Sequence, residues 1–250
     1  MGSLYFDCQN GISGDMAVGA LIDLGGDIKK LDCALKSLNL DDEFEYKITK
    51  TLVNSIQATD FNVILKHHHH NNHSLDHHHH RNLKDIIKII DSADACNDAK
   101  NLAKKIFNIV AGAESIVHNK PVNEVHFHEV GAIDSIVDII SFSVLFCDIN
   151  PDKTYFSSLG EGFGYVDCTH GRMNVPVPAV AETAKKYSLP LKKTNIEGEM
   201  ITPTGASIVA SLYNPDINFS EYKIVRVGSG RGKRPYPNPI LRVMEINEKG

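Results

Sequence analysis

Nine of the thirteen histidines in this 250-residue chain fall between His67 and His80. They are His67, His68, His69, His70, His73, His77, His78, His79 and His80, with Asp76 among them. Neutral imidazole is a borderline ligand that suits nickel, copper, zinc and iron. A free histidine titrates near pH ~6.5, so most of these rings can ligate at neutral pH, and proton competition should weaken metal binding below about pH 6. The run is interior and broken, whereas an expression tag is normally a terminal, unbroken one. It breaks every periodic pattern around it and reads as a flexible metal-binding loop over 67–80, with a plain metal buffer as the simplest role.

A second concentration is Val125-His126-Phe127-His128-Glu129-Val130-Gly131, followed by Asp134 and Asp138. If the segment is extended, His126 and His128 share a face; if it is helical, His126 and Glu129 are neighbours. Either way two imidazoles and a carboxylate come within reach of one ion. Asp134 and Asp138 stand one helical turn apart in an otherwise apolar run. Buried unpaired they would cost stability, so a cation or hydrogen-bond partners are expected. Capping by Asp134 and a satisfied core Asp138 is the simpler alternative.

Three glycine-bearing segments could hold an anion. Asn10-Gly11-Ile12-Ser13-Gly14-Asp15-Met16 lies between a strand pattern and a helix pattern, where backbone amides attract phosphate. Asp15 would repel a bare phosphate but could hold a magnesium ion bridging to it, and no Lys-Ser or Lys-Thr follows, so this is no Walker A loop. Ile201-Thr202-Pro203-Thr204-Gly205-Ala206 also opens a helix, and Gly228-Ser229-Gly230-Arg231-Gly232-Lys233-Arg234 sets three cations on a glycine-rich turn. A tight turn is the commoner reason for any one of them. Together they point to a phosphorylated ligand contacted by Gly11, Ser13, Gly14, Thr204, Gly205, Arg231 and Lys233. His170, in His170-Gly171-Arg172 before Val175-Pro176-Val177-Pro178, is a further acid, base or ligand candidate, or merely a surface residue.

The elements that must position these residues are legible in outline. Leu4–Phe6, 44–50 and 61–65 read as strands, and Met16–Leu24 as a helix. Asn82 caps a helix with Leu83, Ile86, Ile87 and Ile90 on one face, and a longer one carries Leu102 to Val117 up to Pro121. A turn or short strand reaches Gly131, and a helix follows with Ile133, Ile136, Val137, Ile140 and Val144 inward. After Asn150-Pro151, residues 155–166 are glycine-dotted and strand-like, 180–186 and 206–212 helical, and 222–227 and 241–246 closing strands. The expected fold is α/β, with mixed α+β as the alternative, over residues 1–250, and two lobes meeting near residue 150 as one arrangement.

The composition, with 42% hydrophobic and 23% charged residues, supports a buried core. The formal charge of −5 argues against non-specific nucleic-acid binding. Five cysteines without a C-x-x-C pair predict neither a disulfide framework nor a zinc ribbon. No signal peptide or membrane span is visible, so a cytoplasmic location is expected.

Together these segments resemble the nickel insertion proteins of nickel-pincer cofactor biosynthesis over nearly the whole chain. The Gly-Ile-Ser-Gly-Asp-Met and Val-His-Phe-His-Glu-Val-Gly-Ala segments carry the likeness, with the histidine-rich insert before Arg81-Asn82-Leu83, His170-Gly171 and Thr202–Ala206. The resemblance implies a nickel insertion enzyme that uses CTP as co-substrate. It would place nickel(II) into pyridinium-3,5-bisthiocarboxylic acid mononucleotide, and the product would serve lactate racemase-type enzymes, whose apo forms would be its recipients. It further implies that the loop gathers nickel for His126, His128 and Glu129. Asp15, Asp134 and Asp138, with His170, would act in catalysis, the carboxylates by holding magnesium or manganese or by orienting the substrate. A homo-oligomer is expected, with no nucleic-acid or membrane partner. Members usually continue into a C-terminal domain associated with CTP; this sequence stops at Gly250, so that domain is expected in trans. The late glycine loop also departs from the family's usual Tyr/Ala/Thr-bearing version. Two other classes stay open: a nickel store or chaperone relying on 67–80, and a metal-dependent hydrolase built on His126.

Overall fold

The computed structural model describes residues 2–66, 81–124, 133–168 and 171–249. The chain opens with β1 (Ser3–Asp7), whose alternating Leu4 and Phe6 are fully buried, and passes through a short 3-10 turn into α1 (Gly14–Leu24). Next comes α2 (Ile28–Lys36), whose N-cap Asp27 accepts from the Lys29 amide. The hairpin β2 (Phe44–Val53) and β3 (Ile56–Leu65) turns on Asn54 and Ser55, both at positive φ, the conformation that matches the twist of paired strands.

α3 (Leu83–Ser92) starts in a reciprocal cap: Asn82 accepts from the Lys84 and Asp85 amides, and Asp85 reaches back to the Asn82 amide. α4 (Asn97–His118) stops at Asn119 in the left-handed region, two residues before Pro121. Val122–Glu124 form a 3-10 turn where a turn or short strand was expected. α5 (Ile133–Ile149) is apolar nearly all round, and accordingly it is the buried central helix, with Ile136, Val137, Ile139 and Phe142 at zero exposure.

The glycine-dotted stretch resolves into three short strands, β4 (Thr154–Phe156), β5 (Leu159–Phe163) and β6 (Tyr165–Cys168). Two further strands went unread in the sequence, β7 (Gly171–Asn174) and β8 (Leu191–Glu197), on either side of α6 (Pro178–Tyr187). α7 (Pro203–Leu212) begins three residues earlier than its apolar periodicity suggested, because Pro203 occupies the first helical position behind the Thr202 cap. β9 (Glu221–Arg231) and β10 (Ile240–Lys249) close the fold.

The fold is mixed α/β. A six-stranded sheet runs β2-β3-β9-β10-β1-β4, so it draws strands from both sides of residue 150. β1 is antiparallel to β10 and parallel to β4, and β3 meets β9 in parallel at Thr59 and Gly230. α1 lies on β9 and packs against α5, and α4 joins α5, α6 and α7. The result is one continuous core from Leu4 through Phe142 to Val243. Two small pairs, β5-β8 and β6-β7, stand apart from the main sheet. Among the described residues no helix is long and apolar enough to cross a membrane.

Candidate functional site

Two helix N-termini are bound side by side. Ile12, just before α1, forms a parallel bridge with Ile201, just before α7. The Ile12 amide donates to the Met200 carbonyl at 3.0 Å, and the Thr202 amide donates to the Ile12 carbonyl at 3.1 Å. This contact requires glycine at position 205, where a Cβ would stand 2.1 Å from the Ile12 carbonyl oxygen. Thr202 caps α7 by accepting from the Gly205 amide at 3.1 Å. Ser13 stands at the cap position of α1 but gives its hydroxyl to the Asp15 carboxylate instead. The positive ends of two helix dipoles therefore meet in one region, which favours an anion there.

That region is a cavity of about 360 Å³, walled by Ser13, Gly14 and Asp15, by Asp134 and Asp138, by Thr204, and by Lys233 and Arg234. The α5 carboxylate Asp138 is packed so tightly against the start of α1 that a Cβ on Gly14 would lie 2.6 Å from its Oδ2. It accepts from the Asp15 amide, while its Oδ1 is buried without a hydrogen-bond partner among the described residues. Burial, then the charges of Asp15 and Asp134, push the Asp138 pKa well above the ordinary carboxylate range, against the pull of Lys233. Burial also raises Asp15, opposed by the Ser13 hydroxyl, by Lys233 and by the Met16 amide at 2.9 Å. The Lys233 ammonium lies 4.0 Å from Asp15 Oδ2, and Arg234 is ion-paired with buried Glu199. The first turn of α5 adds Asp134, whose Oδ1 accepts from the Ser135 amide at 2.8 Å.

The arrangement offers two kinds of chemistry. Helix amides and Lys233 suit a phosphate or another compact anion. Asp15 and Asp138 are hard oxygen donors with raised proton affinity, able to take a proton or a divalent cation. Magnesium typically uses one or two carboxylates together with substrate phosphate and water, and the orphaned Asp138 oxygen fits that requirement.

The family model described as nickel insertion protein matches residues 4–250. The chain belongs to that family. A pyridinium-3,5-bisthiocarboxylic acid mononucleotide nickel insertion protein of Acetivibrio thermocellus is 47% identical over 234 residues, covering 92% of this chain and 56% of the relative. One of the same name from Alkaliphilus metalliredigens is 44% identical, covering 98% of this chain and 60% of the relative. A putative nickel insertion protein of Dictyoglomus thermophilum is 40% identical, covering 99% and 61%. The chain thus spans about 60% of the length of the curated relatives it matches. No solved structure gives a significant match.

Within this nickel insertion protein family member, most of the anion-site residues expected from sequence meet in the cavity. Ser13, Gly14, Asp15, Asp134, Asp138, Thr204 and Lys233 line it. Gly11 and Gly205 stand behind it in the bridged loops, a Cβ on Gly11 meeting the Met200 carbonyl oxygen at 2.1 Å. Arg231 is not among the lining residues; its guanidinium lies 3.4 Å from Asp60. The loop histidines His67, His68, His69, His70, His73, His77, His78, His79 and His80 lie outside the described residues, as do His126, His128, Glu129 and His170. Among the described residues no group of three or more His, Cys, Asp and Glu is placed to hold a metal ion.

Sequence reasoning missed Glu161, Glu199 and Tyr236. Glu161 Oε1 accepts from the amides of Gly162 (2.8 Å), Met200 (2.9 Å) and Ile201 (3.3 Å), so it fixes the segment that carries the α7 N-terminus. Glu199 holds Arg234 at the cavity wall, and the Tyr236 hydroxyl donates to the Glu199 carbonyl at 2.8 Å. The available signal was an acid flanked by glycines in a strand pattern, Gly160-Glu161-Gly162, where a solvated side chain is unusual.

Proposed function

We propose that this chain carries out CTP-dependent insertion of nickel(II) into pyridinium-3,5-bisthiocarboxylic acid mononucleotide, together with the further part its relatives possess. The observation that carries this reading is the single cavity in which two helix N-termini and Lys233 face buried Asp15 and Asp138. Its helix N-termini, with Lys233, suit the phosphate of a mononucleotide. Its carboxylates, with raised proton affinity, suit the rest of the task. Joining nickel to a ring carbon displaces the proton on that carbon, and a carboxylate that protonates above the ordinary range is a competent acceptor. Asp15, Asp134 or Asp138 would hold magnesium or manganese, which would neutralise triphosphate charge, or orient the substrate. His126, His128 and Glu129 would present nickel, supplied by the histidines of 67–80. The product would pass to an apo enzyme of the lactate racemase type.

The test is direct. The chain is incubated with nickel(II), the mononucleotide and magnesium or manganese, with and without CTP, alone and with the C-terminal part of a longer relative. Mass spectrometry then reads the small molecule. A CTP-dependent nickel adduct is expected, and the setting that yields it shows whether 1–250 suffice. Metal bound to the protein with no adduct in either setting would overturn the insertion reading and favour a nickel store.

A further inference from the structure

The molecule has a second cavity, of about 430 Å³, that shares α5 with the first but none of its lining residues, and is unlike it in chemistry. Three of the five cysteines line it: Cys33 from α2, Cys96 at the N-cap of α4, and Cys147 from the last turns of α5. No two of them are closer than 51 residues in sequence, so it is the packing of three helices that gathers them. Cys96 and Cys147 line it close enough together for Cys96 to act directly on the Cys147 thiol. All three are free thiols; Cys33 and Cys96 are exposed and Cys147 half-buried, so the pair is open to solvent on one side.

We propose that Cys96 and Cys147 form a binding site for a soft monovalent ion, copper(I), held between two thiolates. Thiolate sulfur selects copper(I), zinc and iron–sulfur centres over harder ions. Zinc and iron–sulfur sites need three or four ligands, and none of the described His, Cys, Asp and Glu groups makes a cluster of three. Two nearby thiols satisfy a filled-shell monovalent ion that accepts linear coordination. Of the two carboxylates lining the cavity, Asp148 is taken by Lys30 at 2.5 Å and by the Asp27 amide at 2.9 Å, and Asp94, like it, offers hard oxygen that copper(I) disfavours beside thiolate.

Binding exchanges two S–H protons for two Cu–S bonds. The ion stays monovalent, both protons leave to solvent, and the site gains one net negative charge. Lys29, which lines the same cavity, is placed to offset it. Burial, then the neighbourhood of Cys96, pushes the Cys147 thiol up to about 12, so only a strongly thiophilic ion displaces its proton at neutral pH. The site is independent of the insertion reading, since it shares no residue with the first cavity.

The experiment is an anaerobic titration of the full chain with copper(I) against a chromophoric copper(I) chelator, with the copper ligands read by X-ray absorption. One sulfur-ligated copper(I) per chain is expected for the wild type, with any copper on the histidines of 67–80 distinguished by its nitrogen ligation. Cys96→Ser and Cys147→Ser should each lose the sulfur signature and weaken binding by roughly 100-fold, at the upper end of the range for metal-site mutations. Cys33→Ser and Cys168→Ser should keep both within about threefold, which is under 1 kcal/mol. Cys96 is exposed, so its serine variant is expected to fold and remains decisive should Cys147→Ser be unstable. Copper held through nitrogen alone, or sulfur ligation unchanged in Cys96→Ser, overturns the proposal. So does a Cys33→Ser loss equal to that of Cys96→Ser, which would mean a three-sulfur site.

Discussion

The two cavities of this molecule are built from opposite materials. The first is made of backbone: helix N-termini, a parallel bridge and glycines packed to contact, with hard donors, Asp15, Asp134, Asp138 and Lys233, set into that frame. The second is made of side chains on three helices, with soft donors, Cys33, Cys96 and Cys147, gathered by helix packing. A frame that pins donors through main-chain geometry tolerates little change, whereas a cluster carried on helix faces can lose a member and keep its fold. The predictions below test that difference.

The largest effect is expected at the frame. Gly205→Ala sets a Cβ 2.1 Å from the Ile12 carbonyl oxygen, a backbone atom that cannot rotate away. The α1 and α7 N-termini must part, at a cost of about 3 kcal/mol, the upper end for overpacking. Urea denaturation should show the loss, and nickel insertion should fall with it. A variant as stable as the wild type would mean that the bridge is dispensable. Next in size is Lys233→Ala. Its side chain is half exposed, so the fold should stand. Binding of the mononucleotide, followed by calorimetry, should weaken by about tenfold, the ~1.4 kcal/mol scale of one charge-assisted contact. An unchanged affinity would remove Lys233 from the anion site.

A smaller effect separates the frame from its charges. Burial raises the Glu161 pKa in the folded protein, while its three backbone amide partners lower it. Between the unfolded value near 4.3 and the raised folded value, the folded state binds more protons than the unfolded one, so this group's contribution to stability falls as pH rises through that window. Glu161→Gln keeps a carbonyl acceptor for those amides and removes the titration. Relative to the wild type it should gain about 1 kcal/mol from pH 4 to pH 8, measured as a difference in thermal midpoint. A gain that is flat with pH, or that shrinks, would show that the amides hold a carboxylate ionised at all these pH values.

How much of this was legible follows the same division. The Asn82 cap, the hairpin strands and the apolar α5 with Asp134 and Asp138 are local patterns, and each stands where periodicity and capping put it. The glycine segments were readable one by one as anion-loop candidates. Their convergence was not, because Ile12 pairs with Ile201 across most of the chain and no local signal fixes such a pairing. Arg231 looked like a phosphate contact because it sits between glycines, yet strand alternation in β9 turns it to Asp60. β8 was missed because Lys192 and Lys193 break its alternation on an exposed edge. The cysteines were read for pair spacing, which detects local metal knuckles and is blind to thiols gathered by helix packing.

The smallest prediction concerns the second cavity and runs against the usual sign for losing a side-chain contact. Cys96 occupies the N-cap of α4, where its thiol makes no cap hydrogen bond, and the Asn97–His118 helix is the longest described. Cys96→Ser supplies an oxygen that can accept from the free amides of the first turn, a gain of about 0.5 kcal/mol, at the low end for serine caps. It also removes the sulfur that faces Cys147, a weak interaction between neutral thiols. If the second cavity is a tolerant cluster on helix faces, the cap wins and urea denaturation of the metal-free protein shows Cys96→Ser slightly more stable than the wild type. A loss of more than about 1 kcal/mol would mean that the thiol pair holds α4 to α5, and the contrast between a rigid frame and a tolerant cluster would fail where it is easiest to measure.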